Sequence, residues 1–186
     1  MIYVIIAIAV LVLLGIFFVV GFNRLRKQDV GAQEALGGID VQLTRRAELI
    51  PNLVQTVKGY AAHESDVFAE VTKARAGLAA AAAGDDVPAK AAADAAMQQA
   101  LLRVNAVAEA YPDLKADASF RDLQDQLAKT EDQIAFARQY YNDATAQLNQ
   151  SVRTIPWMFF SGVAGVKERE FYDAPTEHTA APGVEF

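Results

Sequence analysis

The chain contains no cysteine. That excludes disulfides, acylation at a cysteine and thiolate metal sites. Histidine is nearly absent too. His63 and His178 are the only two among 186 residues, and their separation does not suggest a zinc site. Charge is missing from the first 23 residues, where no Lys, Arg, Asp or Glu occurs before Arg24. A basic field is also lacking. The net charge is −6, which argues against a nucleic-acid partner. No glycine-rich phosphate loop is found, and no segment alternates apolar and polar residues between turn dipeptides. These absences leave an all-α chain with room for one folded domain.

What stands out is the apolar run "IYVIIAIAVLVLLGIFFVVGF", Ile2–Phe22. As a helix it covers about 30 Å, the thickness of a bilayer's hydrocarbon core. A cleaved signal peptide has a basic start, a shorter apolar core and a small-residue cleavage site beyond it. This run has no basic residue before it and carries "AIA" inside it. Residues 1–23 are therefore expected to form a single uncleaved transmembrane anchor. Arg24, Arg26 and Lys27 follow immediately. The excess of basic residues on that side puts the N-terminus outside and the rest of the chain in the cytoplasm. It also places those three residues near anionic headgroups.

Residues 24–153 read as an antiparallel four-helix bundle. Leu25, Ala32, Leu36, Ile39, Leu43, Ala47 and Ile50 recur at the spacing of one helix face. Gly37-Gly38 suit a bend or a close helix approach. Pro51 removes a donor and crowds the preceding turn. Either one helix kinks there, or the chain turns near residues 48–52 and a second helix starts at Pro51; the turn is the preferred expectation. That second helix carries Leu53, Val57, Tyr60, Val67, Phe68, Val71, Ala74 and Leu78. Gly84 then suits a helix end, Asp85 or Asp86 a cap, and Pro88 a first turn. A third helix presents Met97, Leu101, Val104, Ala108 and Tyr111. After "YPDLKADAS", Ser119 and Asp122 resemble a capping box. The fourth helix has a seam of alternating three- and four-residue steps, from Phe120 through Leu127, Ile134 and Tyr141 to Ser151. An even number of passes returns the chain to the membrane at residues 154–172. There Trp157, Met158, Phe159 and Phe160 precede Lys167 and Arg169. Two readings stay open for this segment: an interfacial element, typical of aromatics beside basic residues, and a cap on the bundle core. Residues 173–186 read as a flexible tail.

No catalytic, cofactor or metal site emerges. "HES" at 63–65 lacks the second histidine a zincin needs, since residue 67 is Val. Neighbouring residues on a helix diverge by about 100°, which rules out a triad from His63 and Ser65. The sequence instead offers a polar set flanking the seams: Asp40, Arg45, Arg46, Asn52, His63 and Glu64 early in the chain, and Glu131, Arg138 and Asn142 on the last long helix. These are expected to form an interhelical network that sets register rather than to act as catalysts.

The segments "IDVQLTRRAELIPNLVQTVKGYAAHE" (39–64), "VTKAR" (71–75), "YPDLKA" (111–116) and "LAKTEDQIAFARQYYNDATAQLN" (127–149) follow the apolar span in order. Together they resemble the LemA family over essentially residues 1–172. Positions that match include Asp40, Arg45, Arg46, Pro51, Asn52, His63, Glu64, Glu131, Arg138 and Asn142. The alanine run at 79–83 and "IPWMFF" depart from the pattern. The resemblance implies a bacterial membrane protein with one N-terminal span, a helical bundle and no enzymatic reaction common to the group. It also implies two kinds of role. One family member is linked to intracellular membrane compartments, and others are encoded near a membrane-bound heat-shock-type metalloprotease. The expected function is thus a self-associating homo-oligomer that scaffolds or remodels the bilayer of the cell membrane. An adaptor docking onto a membrane protease is the alternative.

Overall fold

A computed structural model describes residues 1–172; the tail expected at 173–186 lies outside the described residues. Six helices account for most of the described chain: α1 (Ile2–Tyr60), α2 (Ser65–Ala82), α3 (Val87–Ala110), α4 (Pro112–Ala116), α5 (Ala118–Arg153) and α6 (Met158–Ala164). No strand occurs among the described residues. Among the described residues one helix, α1, is long and apolar enough to cross a membrane. The side chains of its first part, such as Ile5, Leu11, Leu14 and Val19, are exposed.

The first helix does not end near Pro51. It continues as α1 to Tyr60, so the turn expected at residues 48–52 falls instead at Ala61–Glu64. Leu53 and Val57 consequently belong to α1. The reason lies in a distant residue. Proline supplies no N–H to the carbonyl four residues earlier, which here is that of Ala47. Arg75 on α2 donates its Nε–H to that carbonyl at 3.0 Å. The orphan acceptor is satisfied from outside, and the helix runs on. Gly37 and Gly38 also lie inside α1, and a Cβ at either would meet nothing within 4 Å; no close helix approach accounts for them.

Caps set the later boundaries. Asp86 begins α3 by accepting a hydrogen bond from the Ala89 N–H at 3.0 Å, with Pro88 in the first turn. At α5 the cap is Asp117, not the expected Ser119. Its carboxylate accepts from the Phe120 N–H at 2.9 Å. That bond holds its carboxyl below the usual carboxylate range, and the Tyr60 hydroxyl adds to the effect.

The chain divides into two compact units, to both of which α1 and α5 contribute. The first comprises Met1–Leu36 with Tyr140–Phe171. Its core gathers Leu25, Ala32, Leu148, Phe160, Ala164 and Val166. The second contains Gly37–Gln139 and Tyr172. In it α2 packs on α3, and Ile39, Leu43, Val71, Leu78, Met97 and Ile134 are buried. Every anticipated seam position of α5 from Phe120 to Ser151 is buried or half-buried.

Candidate functional site

Two groups of residues bear on function, one in each unit. In the second unit, charged side chains are buried among apolar ones. Arg46 on α1 and Asp94 on α3 are each 1 % exposed. Arg46 donates from Nη1 to Asp94 Oδ1 at 2.5 Å and from Nη2 to Glu131 on α5. Gln98, one turn beyond Asp94, donates to the other oxygen of Glu131 at 2.8 Å. Arg138 completes the cluster, 3.9 Å from Asp94 and 3.7 Å from Glu131. Two arginines face two carboxylates, so the local charge cancels. Next to it Lys90, fully buried, donates to Asp40 and to the Ala82 carbonyl at 3.3 Å.

Burial raises the carboxyl of Asp94 above its ordinary range, against the opposing pull of Arg46. Burial likewise pushes up the phenol of Tyr172, and the charge of Asp94 adds to it. The guanidinium of Arg138 lies 5.8 Å from the centre of that ring. A groove of about 450 Å³ opens beside Arg46 and Glu131, walled by Leu101, Leu102 and Leu127. The carboxylates at its head are held by arginines, and no group of three or more His, Asp or Glu among the described residues is placed to hold a metal. The cluster joins α1, α3 and α5 through paired charges.

Of the polar residues singled out from sequence, the structure brings together Arg46, Glu131 and Arg138, and pairs Asp40 with Lys90. Arg45 lies at the exposed edge, where it donates to Gln133 at 3.5 Å. Asn52 lines a shallow surface groove with Leu49 and Gln126. His63 is exposed in the turn after α1, and Glu64 sits at the N-cap position of α2 without a side-chain cap bond. Asn142 lies one turn beyond Arg138 on α5, in the first unit. Sequence reasoning missed Lys90, Asp94 and Gln98. Their four-residue spacing in an alanine-rich helix was the available signal.

The first unit holds the aromatic segment. Trp157 stacks on Phe17 with ring centres 5.9 Å apart. Phe160 meets Phe17 and Phe18 edge-on at 5.4 and 5.6 Å. Gly21 allows this seat, because a Cβ there would lie 2.7 Å from the Phe160 ring. Arg24 lies over Trp157, its guanidinium carbon 4.8 Å from the ring centre, an attraction worth about 0.5–2 kcal/mol. Arg26 and Lys27 are exposed on the next turn. Met158 and Phe159 point away and are exposed, Phe159 by 68 %. Arg169, expected among the interfacial cations, is committed elsewhere. It grips Asp29 through two bonds of 2.9 and 3.0 Å and donates to Gln33 at 2.8 Å. Asn149 fixes it further, exchanging two 2.9 Å bonds with the Arg169 backbone.

A chain whose described residues are largely helical and without strand, with a span-length apolar stretch in α1 and aromatics packed on that stretch, is a membrane-associated helical protein. It belongs to the LemA family, whose model matches residues 35–186. Among curated relatives it is similar to the magnetosome proteins MamQ 1 and MamQ 2 of Paramagnetospirillum magneticum. Each is 24% identical over 174 residues, covering 81% of this chain and 64% of the relative. The magnetosome protein MamQ of Magnetospirillum gryphiswaldense is 24% identical over 164 residues, covering 76% of this chain and 60% of its own length. The chain thus spans a little under two thirds of these relatives.

Proposed function

We propose that this LemA-family protein is a non-enzymatic, single-pass protein of the bacterial cell membrane that self-associates to scaffold or remodel the bilayer. Its N-terminus lies outside, and the residues after Arg24 lie in the cytoplasm. The observation that carries this reading is the seat of Trp157 and Phe160 on Phe17, Phe18 and Gly21. A chain that leaves the membrane and comes back to its own anchor holds a second apolar element at the bilayer surface. That is the arrangement by which a protein loads one leaflet more than the other.

The order of contacts in the second unit supports an antiparallel four-helix bundle made of the later part of α1 with α2, α3 and α5. From Asp40 to Arg46 on α1, the partners on α3 rise from Lys90 to Asp94. From Asp94 to Gln98 on α3, the partners on α5 fall from Arg138 to Glu131. The partners of Lys90 and Arg103 on α2 fall from Ala82 to Glu70. These pairs fit an up, down, up, down order of the four helices. The naming of relatives as magnetosome proteins accords with a role at a membrane.

Reconstitution of the full chain into liposomes of bacterial lipid, with electron cryomicroscopy and lysine crosslinking, tests the proposal. Crosslinks between copies and deformed vesicles are the expected result. Smooth vesicles holding a strict monomer at high protein load overturn it. In native membranes, a stoichiometric crosslink to a membrane protease without self-crosslinks replaces the scaffold by the adaptor reading.

A further inference from the structure

Two large apolar side chains of the second unit stand in the open. Val41 on α1 is 62 % exposed and Phe136 on α5 is 73 % exposed. They share one face. Arg45 on α1 bonds Gln133 on α5, and farther along Asn52 shares a groove with Asp122 and Gln126. As residue numbers rise on α1, their neighbours on α5 fall. Val41 lies four residues before Arg45 and Phe136 three residues after Gln133. Both therefore stand on the same side of that bond, about 6 and 4.5 Å along the helix axes. On the other side come Glu48 and Lys129, about 4.5 and 6 Å away. Asp132 is nearly level with Arg45. Arg45, Glu48, Lys129 and Asp132 are all exposed. Glu48, Lys129 and Asp132 make no ion pair with another described residue. The face thus carries an uncovered apolar pair at one level and unspent charges of both signs at the next two.

We propose that this face pairs two copies of the chain about a two-fold axis parallel to the helices, which deepens, and rests on, the reading that anchored copies self-associate. Copies held in one bilayer point the same way. A two-fold axis that keeps this direction sets α1 of each copy against α5 of its partner, at equal height. Every contact then occurs twice. The heights decide which residues meet. Val41 meets the partner's Phe136, Arg45 the partner's Asp132, and Glu48 the partner's Lys129. One apolar pair and two pairs of opposite charge fall into line, and no like charges oppose each other at these levels. Gly38, three residues before Val41, is exposed, and a Cβ there would meet nothing within 4 Å. That leaves the partner's α5 free to come close. Three residues from each of two helices fall short of the roughly 20–30 residues a side usual for a stable soluble complex. Anchoring in one bilayer supplies the missing part as a raised effective concentration.

The chain has no cysteine, so single introduced thiols report without background. Two full-length chains with different tags, one carrying Val41→Cys and the other Phe136→Cys, are reconstituted together into liposomes of bacterial lipid and mildly oxidised. A disulfide between unlike chains is expected. Like positions lie across the diagonal of the four facing helices, roughly 13 Å between axes for neighbours about 9 Å apart. A disulfide needs Cα atoms within about 7 Å, so chains of one kind should not join to each other. Adding Glu48→Lys to both chains sets like charges opposite each other twice and lowers the yield about tenfold. Glu48→Lys together with Lys129→Glu restores it. Circular dichroism stays the same throughout, because both side chains are exposed. Like-with-like disulfides as abundant as the unlike one, or a charge reversal without effect, overturn the pairing. Lysine crosslinks between copies without the unlike disulfide leave self-association standing and remove this face. A strict monomer in smooth vesicles removes self-association itself, and the pairing with it. In native membranes, a thiol crosslinker that joins the Phe136→Cys chain only to a foreign protein overturns the second copy as the occupant.

Discussion

At the scale of single residues, Asp94 decides most. It is an acid buried between two arginines, and its surroundings disfavour its charge more than Arg46 restores it. Truncation leaves the guanidinium of Arg46 buried with Glu131 alone. Asp94→Ala is expected to cost about 3 kcal/mol, the lower end of the range for breaking a buried pair. Replacing both partners by apolar residues, Arg46→Met with Asp94→Leu, recovers most of that. Urea unfolding of the full chain in detergent, followed by circular dichroism, checks both. A pH comparison adds the sign. A carboxyl raised above its ordinary 3.8 binds its proton more tightly when folded. Its cost is fully present at neutral pH and is relieved as pH falls through the folded value toward 3.8. The stability of the wild type relative to Asp94→Asn therefore grows between pH 7 and pH 4. If the gap shrinks on acidification, pairing with Arg46 outweighs burial.

At the scale of elements, the pattern of side chains determined more than the punctuation did. The seams of α1 and α5 were legible because burial imposes a period, and a period repeats over many residues. Leu25, Ile39, Leu43, Phe120, Ile134 and Leu148 are all buried where spacing placed them. The end of α1 was not legible. Pro51 is a local signal to stop, and the group that silences it, Arg75, is 24 positions away on another helix. The shift of the α5 cap from Ser119 to Asp117 has a smaller cause: both residues can cap, and the chain uses the one that Tyr60 also reaches. The Arg75 account makes a coupled prediction. Arg75→Met strips the Ala47 carbonyl of its donor and should cost about 2 kcal/mol in the wild type. In a Pro51→Ala background residue 51 regains its N–H, which can bond Ala47 within the helix. There the same change should cost less than half as much. Equal costs in both backgrounds, measured as a double-mutant cycle, rule out the proline as the reason for Arg75.

For the molecule as a whole, the aromatic segment packs against Phe17 and Phe18 of α1, but the division of labour within it was invisible in sequence. Trp157, Met158, Phe159 and Phe160 read alike as large apolar side chains. Only contact with α1 separates Trp157 and Phe160, which seat on it, from Met158 and Phe159, which do not. Lys90 and Asp94 share one face of α3 by their four-residue spacing, but that spacing does not name the residues they face, Asp40 and Arg46 on α1. The seat depends on Gly21. A single methyl there would fall 2.7 Å from Cδ2 and 2.8 Å from Cε2 of Phe160, and a branched side chain leaves the ring no room. Gly21→Leu should therefore unseat α6 while retaining an apolar residue in the span. It should also leave the second unit's fold intact, since Gly21 belongs to the first. The expected signs are a red shift of Trp157 emission and faster protease cleavage between Arg153 and Trp157, with an unchanged urea midpoint for the helical signal. Vesicle deformation should fall with them. Loss of the seat without loss of deformation would show that copies reshape the bilayer through other surfaces, and that the returning segment only closes the first unit.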